Sequence, residues 1–490
     1  MRHLDLVRRC APSLVPGVLL LVTALISITG PGFSWDEVAT ADIAGRTPPE
    51  IWRLMRHIDA VLGPYYLAMH AWTALAGTSE TALRLPQVIA MALAAALTGE
   101  LGRRLFSPLT GLTAGLILVV IPNSFRYAAE ARPYAFSVLF SALSLLLLHT
   151  ALRRPRWWRW ALYGLSVLLL GLSHLVGVSI LAAHALIVLR RDRRLLRAWA
   201  PAAAIVVALL APLASLGAGQ QSGQVAWIRP LSVAVLRRSP AELIGSSAVA
   251  WLLIVLVVLV VARFALLDLV ALCVVPMAAL AGYSLLVGPL WVPRYLLVVL
   301  PPMALLAAAA IVPGARPPVA SEQQWPAAAS WTRARPLAQV ALVLVVFVAA
   351  AWPGQREQRA DLAKNGSDYR ALTRLIQERD QAGDVILYQD GNRALRAGVD
   401  FYYRGDPGRP VDLLLRRTAG QVAGLIADEY PDVAGRLDGV ERVWLVVAST
   451  GAEDPLVHKP RVAPVLRAGF RRAGLFRVHG ATVAFYRRRA

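Results

Sequence analysis

Runs of 15 to 25 apolar residues recur along the first 350 positions of this 490-residue chain, and they restrict its fold more than any other feature. Each is a candidate helical crossing of a hydrocarbon core ~30 Å thick. A hydrophobic content of 57% excludes an ordinary water-soluble enzyme. The formal charge of +21 does not mark a nucleic-acid binder, because the arginines gather in short clusters between apolar runs, as in cytoplasmic loops. The chain reads as an α-helical polytopic membrane protein.

Two cysteines, Cys10 ahead of the first apolar run and Cys273 inside a later one, give no disulfide framework, and no Cys/His spacing marks a structural zinc. Arg2, Arg8 and Arg9 precede an apolar stretch with no small-x-small cleavage site, which reads as an uncleaved anchor with a cytoplasmic N-terminus. The further arginine markers are Arg103-Arg104, Arg153 to Arg159, Arg190 to Arg197, Arg263 and the Pro/Ala-rich loop 313–336. All fall on one side only if segment 63–77 does not cross. That segment is short and aromatic (Tyr65, Tyr66, Trp72), and reads as a helix in the outer interface. Residues 35–83 then form one external loop with two or three surface helices.

Eleven spans follow, at 14–30, 85–102, 109–124, 134–152, 160–173, 175–189, 198–216, 247–262, 265–287, 295–312 and 337–352. The C-terminus is then external. After Pro353 charged residues become frequent, with strands predicted at 384–388, 411–415, 442–447 and 482–486 and helices at 367–381 and 392–403. The expected domains are a membrane module, 1–353, with its first external loop at 31–84, and an extracytoplasmic α/β domain, 354–490. The latter has no glycine-rich phosphate loop or nucleophile elbow, and its sequence assigns it no chemistry.

Acids, bases and aromatics concentrate in three external stretches. The first holds Asp36, Glu37, Asp42, His57, Asp59, Tyr65, Tyr66 and His70. The second is Arg126-Tyr127-Ala128-Ala129-Glu130-Ala131-Arg132-Pro133-Tyr134, and the third is Trp291-Val292-Pro293-Arg294-Tyr295. Carboxylates at a membrane surface are costly unless hydrated, paired or used. Plainer readings exist for each: Asp36 and Glu37 as first-turn helix acids, Glu130 with Arg132 as an ion pair, Arg294 as a snorkelling side chain. Arg84 reads as structural and His174 as a surface histidine in a short outer turn. Glu100 and Asp268 lie beside arginines that pair them, and Trp157, Trp158 and Trp160 read as an interfacial belt.

The Asp-Glu pair after the first span, Leu83-Arg84-Leu85-Pro86, the Glu-Ala-Arg-Pro-Tyr loop and the late Pro-Arg-Tyr together resemble the C-type glycosyltransferases. The likeness is to the branch holding protein O-mannosyltransferases and the lipid A aminoarabinose transferase. It covers residues 10–350 and is strongest in the first 135.

The resemblance implies transfer of a sugar from a polyprenyl phosphate to an acceptor hydroxyl of an envelope glycan, lipid or protein, with inversion. Such a reaction needs a carboxylate to take the hydroxyl proton and cations to meet the charge on the departing phosphate. Asp36 matches the family's catalytic acid. Glu37, His57, Asp59, Tyr65, Glu130, Arg132, Tyr134, Arg294 and Tyr295 are the expected donor-phosphate and substrate residues, with Asp36 and Glu130 expected to hold a divalent metal (Mg, Mn, Ca or Zn). No organic cofactor and no nucleic acid are expected. Many relatives carry His-Pro-Pro or Lys-Pro before the interfacial helix. Here that segment has no lysine, and His57 and Asp59 stand in its place. Mannose is the leading sugar and arabinofuranose the second. The rival classes are a lipid-linked sugar transporter or flippase and a non-catalytic scaffold, and the bacterial cytoplasmic membrane is the expected location.

The topology is testable by outside labelling. In a background without Cys10 and Cys273, cysteines at Trp35 and Glu80 should both react with an impermeant maleimide. Labelling of one without the other would show that 63–77 crosses.

Overall fold

The computed structural model describes residues 2–263, 266–315, 334–448 and 454–490; most of the expected 313–336 loop lies outside them. Contacts divide the chain into two compact units: Met1–Ile28, Asp59–Tyr65 and Arg84–Arg359 form the first, Thr29–Ile58, Tyr66–Leu83 and Ala360–Ala490 the second.

In the first unit every expected span is occupied by a helix, from Arg2–Ile26 to Ala334–Glu357. Six described helices are long and apolar enough to cross a membrane, or eight if two bent pairs each count as one span. The expected eleven are not reached because several helices are short. Trp157–Ser173 has 17 residues and Ile180–Arg191 only 12, with a 3-10 turn, Leu175–Ser179, between them. Helix Gly63–Ala76, with 14 residues, rises ~21 Å at about 1.5 Å per residue, too little to cross, as its aromatics led us to expect.

Close backbone packing joins the N-terminal helices. A Cβ on Gly99 would stand 1.8 Å from Pro12 O, and one on Gly111 would stand 2.3 Å from Gly99 O. Without a water-driven hydrophobic force between spans, such small-residue contacts let dispersion hold helices together. Pro293–Ile311 is the most enclosed span, 78% of its apolar window being buried, against 17% for Arg193–Gly219. The central helix thus begins at the Pro-Arg-Tyr motif.

The second unit contains a five-stranded mixed sheet, ordered β2-β1-β5-β7-β6. Strand β1 (Val385–Tyr388) runs parallel to β2 (Val411–Asp412) and β5 (Arg442–Val447). β7 (Ala481–Arg488) is antiparallel to both β5 and β6 (Phe470–Val478). A two-stranded ladder, β3 (Leu415–Arg417) with β4 (Asp428–Glu429), completes it. The strands predicted at 384–388, 442–447 and 482–486 are present, whereas 411–415 is divided between β2 and β3 in separate sheets. β4 and β6 are additions, and Arg471, Arg472 and Arg477 interrupt the apolar pattern of β6 because it is an edge strand.

Residues 29–58 and 66–83 belong to this unit rather than standing alone as a loop. Trp35 N–H donates to Asn365 O at 3.2 Å and Gly32 N–H to Asp361 O at 2.8 Å. Gly366 has φ +143°, and a Cβ there would meet Trp35 Cδ1 at 2.9 Å, so only glycine fits under the indole. Arg370 and the Tyr402 hydroxyl both donate to the carboxylate of Glu80.

The deepest of these ties is Lys364 Nζ to Glu37 Oε2, at 2.7 Å, with side chains 2% and 0% exposed. Removing one partner of a buried pair strands the other charge, which costs about 3–5 kcal/mol. Lys364→Met should therefore lower the unfolding temperature of the full chain markedly, and Glu37→Gln/Lys364→Met should recover most of the loss. A Lys364→Met protein as heat-stable as the wild type would show that the pair contributes little.

Candidate functional site

Three interruptions of the membrane helices supply the charged and aromatic residues of the first unit. Pro122 lacks an N–H, and the helix Pro108–Val120 gives way at Ile121 to Pro122–Ala128 with a bend of 67°. The chain then turns through Glu130 and Arg132, 5% and 7% exposed, before Tyr134 opens the next helix. His174 precedes the 3-10 turn Leu175–Ser179, and Arg294 and Tyr295 open the 3-10 segment Pro293–Val299.

These segments converge. The Tyr134 ring lies 5.2 Å from Tyr127 and 5.9 Å from His174, whose ring lies 4.8 Å from Tyr295. Arg294 Cζ sits over three rings, at 5.2 Å from Trp227, 5.8 Å from Tyr134 and 6.0 Å from Tyr295. A guanidinium over aromatic faces keeps its charge while its planar edge still offers N–H donors. Arg126 pairs with Glu130 (Nε to Oε2, 3.7 Å) and donates to Gln358 Oε1 at 3.1 Å. Arg126, Glu130 and Arg294 all act electrostatically on Tyr127, and Arg294 and Arg132 on His174. Three guanidinium groups and one carboxylate therefore lie around these rings, an excess of positive charge suited to a phosphate.

The other expected residues divide between the units. Tyr65, 6% exposed, accepts from Gln87 Nε2 and packs on Phe136 at 6.5 Å. Asp59 has φ +57° and accepts from Gln224 Nε2 at 3.2 Å, which holds a tight turn before Ala60. In the second unit, helix Trp35–Ala44 starts with a capping box in which Ser34 and Glu37 satisfy each other's backbone N–H groups. With Lys364 on its other side, Glu37 holds the helix start in place. Asp36, one residue earlier, is 28% exposed in its side chain and lies 3.4 Å from Arg393 Nη2. His57 is exposed, its Nδ1 2.8 Å from Arg53 O.

Several residues carry no clear signal in the sequence. His174, expected at the surface, is half-buried between two tyrosines. Trp227 has no motif, and Arg126 was visible only as part of its loop. Lys364, which pairs with Glu37 from 327 positions away, belongs to no motif. Arg84 is fully buried and donates to Ile28 O at 2.8 Å.

A divalent metal fits poorly. Among the described residues no three His, Cys, Asp or Glu side chains form a ligand group, and Glu130 is engaged by Arg126. Asp36 and Glu130 belong to different units, and the expected pair of metal ligands has no third member of that kind.

The fold is shared with a solved membrane protein. Its likeness to the crystal structure of ArnT from Cupriavidus metallidurans in the apo state has a TM-score of 0.59, at 13% identity, over 96% of this chain and 97% of that one. The same protein bound to undecaprenyl phosphate gives 0.55, at 13% identity and the same coverage. Residues 61–216 match the family described as dolichyl-phosphate-mannose-protein mannosyltransferase. No curated protein matches the chain by sequence. The resemblance seen in the motifs therefore holds for the family segment and for the fold.

Desolvation, reinforced by Arg294 and Arg132, pushes the His174 pKa down to about 4 from its ordinary value of 6.5. The unfolded chain then binds a proton that the folded one refuses, so stability is lost as pH falls from about 6.5 toward 4. His174→Phe keeps a ring but removes the titration. Its unfolding temperature should fall less than that of the wild type between about pH 7 and pH 4.5, and parallel curves would show that His174 does not titrate as described.

Proposed function

We propose that this chain is a membrane glycosyltransferase that moves a sugar from a polyprenyl phosphate to an acceptor hydroxyl. The observation that carries the reading is the group of three arginines and one glutamate, backed by tyrosines and a tryptophan, at the interruptions of apolar helices. An excess of positive charge suits a lipid phosphate, and flat aromatic faces suit a sugar ring. The match to the mannosyltransferase family over 61–216 supports it, as does the fold shared with a protein crystallised with undecaprenyl phosphate.

In this proposal Asp36 takes the proton of the acceptor hydroxyl as its oxygen attacks the anomeric carbon. The bond from that carbon to the phosphate oxygen breaks, the configuration inverts, and the electron pair leaves with the polyprenyl phosphate. Arg132 and Arg294 meet the growing charge on the phosphate, with Glu130 orienting the guanidinium groups. Tyr65, Tyr134 and Tyr295 line the donor, and Glu37 fixes the position of Asp36. Mannose is the proposed sugar and arabinofuranose the second. The acceptor is an envelope glycan, lipid or protein at the outer face of a bacterial cytoplasmic membrane, where the C-terminal domain also lies.

The test is transfer of label by the purified full chain from polyprenyl-phosphate mannose and polyprenyl-phosphate arabinofuranose to membrane acceptors. Asp36→Asn should bind donor but turn over about 10²–10⁴-fold more slowly, the usual contribution of a general base. Arg294→Ala should raise the apparent donor constant, and Arg294→Lys should recover it only in part, since an ammonium cannot grip phosphate with two parallel bonds. Transfer by Asp36→Asn at the wild-type rate would remove the base from the mechanism. Absence of transfer from every polyprenyl-phosphate sugar would remove the function.

A further inference from the structure

A cavity of about 340 Å³ opens in the first unit, lined by none of the candidate-site residues. Its walls come from the last turns of three helices, Glu80–Leu105, Tyr134–Arg153 and Ile180–Arg191, and from the first turns of Leu267–Leu286. The Tyr134–Arg153 helix separates the two places: Tyr134 begins it, and His149 lies fifteen residues on, ~22 Å along the axis at about 1.5 Å per residue. The cavity belongs to the arginine-rich ends of these helices.

Its lining has two characters. Leu105, Leu145, Leu148 and Leu272 make apolar walls. At one side stand Arg190, Arg191 and Asp268, with Arg190 Nε 3.3 Å and Arg191 Nη2 2.9 Å from the carboxylate. Two guanidinium groups against one carboxylate leave a net charge of +1. Each arginine has five N–H donors, and the bonds to Asp268 use only some of them. The arginine side chains are 48% and 56% exposed, so their remaining donors are open to an incoming group. His149 Nε2, also on the lining, is buried with no hydrogen-bond partner among the described residues. A buried polar atom left without a partner costs free energy that an acceptor or donor from a ligand would recover.

We propose that this cavity seats the phosphate headgroup of an anionic phospholipid from the adjoining leaflet. The headgroup phosphate lies against Arg190, Arg191 and His149, and the first acyl carbons lie against the leucine walls. Basic pockets between spans at the headgroup level are suited to such lipids, whose phosphate gains charge-assisted bonds while the tails remain in the bilayer. A free phosphate ion would gain nothing from the leucines. A zwitterionic lipid brings its own ammonium, which the +1 charge disfavours.

Native mass spectrometry of the detergent-purified full chain tests this with dioleoylphosphatidylglycerol, dioleoylphosphatidylcholine or inorganic phosphate added. The wild type should retain the phosphatidylglycerol about tenfold better than the phosphatidylcholine, a difference of about 1.4 kcal/mol. Arg190→Gln/Arg191→Gln should abolish that preference. Leu152→Trp, which fills part of the lining without removing charge, should reduce retention of the phosphatidylglycerol and keeps the test open if the double variant does not fold. Equal retention of the two lipids, an unchanged preference in the double variant, or displacement of the lipid by millimolar inorganic phosphate would each overturn the proposal.

Discussion

Near a bilayer, a backbone that leaves the helix must find partners for the N–H and C=O groups it frees. That requirement organises the first unit. At the Pro122 bend, Gln355 Nε2 donates to Val120 O at 2.8 Å, and Asn123 Nδ2 donates to Glu242 O and Leu243 O at 2.7 and 2.8 Å. Along the 3-10 segment Pro293–Val299, Ser141 Oγ donates to Val298 O at 2.8 Å. At both of these irregular stretches a side chain from another helix takes up a freed backbone group. Interruptions can be supported only where helices crowd together, and that is why residues 121–133, 174 and 291–295 meet instead of scattering along the spans. The cluster of arginines and aromatics is a consequence of where the backbone is permitted to break.

The second unit solves a different problem. Asp36 sits in the first turn of a ten-residue helix with little apolar moment of its own, and such a helix is marginal in isolation. The capping box at Ser34 and Glu37 fixes its start, and Lys364 closes over Glu37 from the C-terminal part of the chain. The two adjacent acids therefore play different parts. Glu37 is buried and bonded on both sides, while Asp36 keeps part of its surface in solvent and an exposed arginine beside it. Neighbours in sequence on a helix point about 100° apart, so one can anchor while the next stays available.

The division between what was readable and what was not follows the range of each interaction. Apolar runs place the membrane helices, because hydropathy is local, but their lengths mislead where a 3-10 turn such as Leu175–Ser179 divides a run into short helices. The motifs at Glu130, Arg132, Tyr134, Arg294 and Tyr295 were legible as residue types out of place among apolar neighbours. His174 and Trp227 were not, since a lone ring in a turn gains its meaning from Tyr134, Tyr295 and Arg294, which arrive from other helices. Strand β1 was visible as a continuous apolar run, while edge strand β6 was hidden by its arginines. Most distant of all, Lys364 gave no local sign that it would seat itself on Glu37.

Basic residues number 51, and the sequence contains only two lysines, Lys364 and Lys459. Both are buried among carboxylates, Lys364 on Glu37 and Lys459 on Asp390 and Glu429, with side chains 2% and 1% exposed. Many of the arginines instead occupy helix ends and exposed faces, although Arg84 and Arg46 are buried. An ammonium is compact and points its donors in three directions, so it fits a closed pocket of acids. A guanidinium is planar, less strongly hydrated and able to keep some donors free after one pairing. Arg126 shows the latter use, bonded to Gln358 on one nitrogen while paired with Glu130 through another. Arg294 shows it over three aromatic rings. Both lysines close contacts within the protein; arginine does so as well, at Arg84 and Arg396, and serves besides where donors must be left over after one pairing.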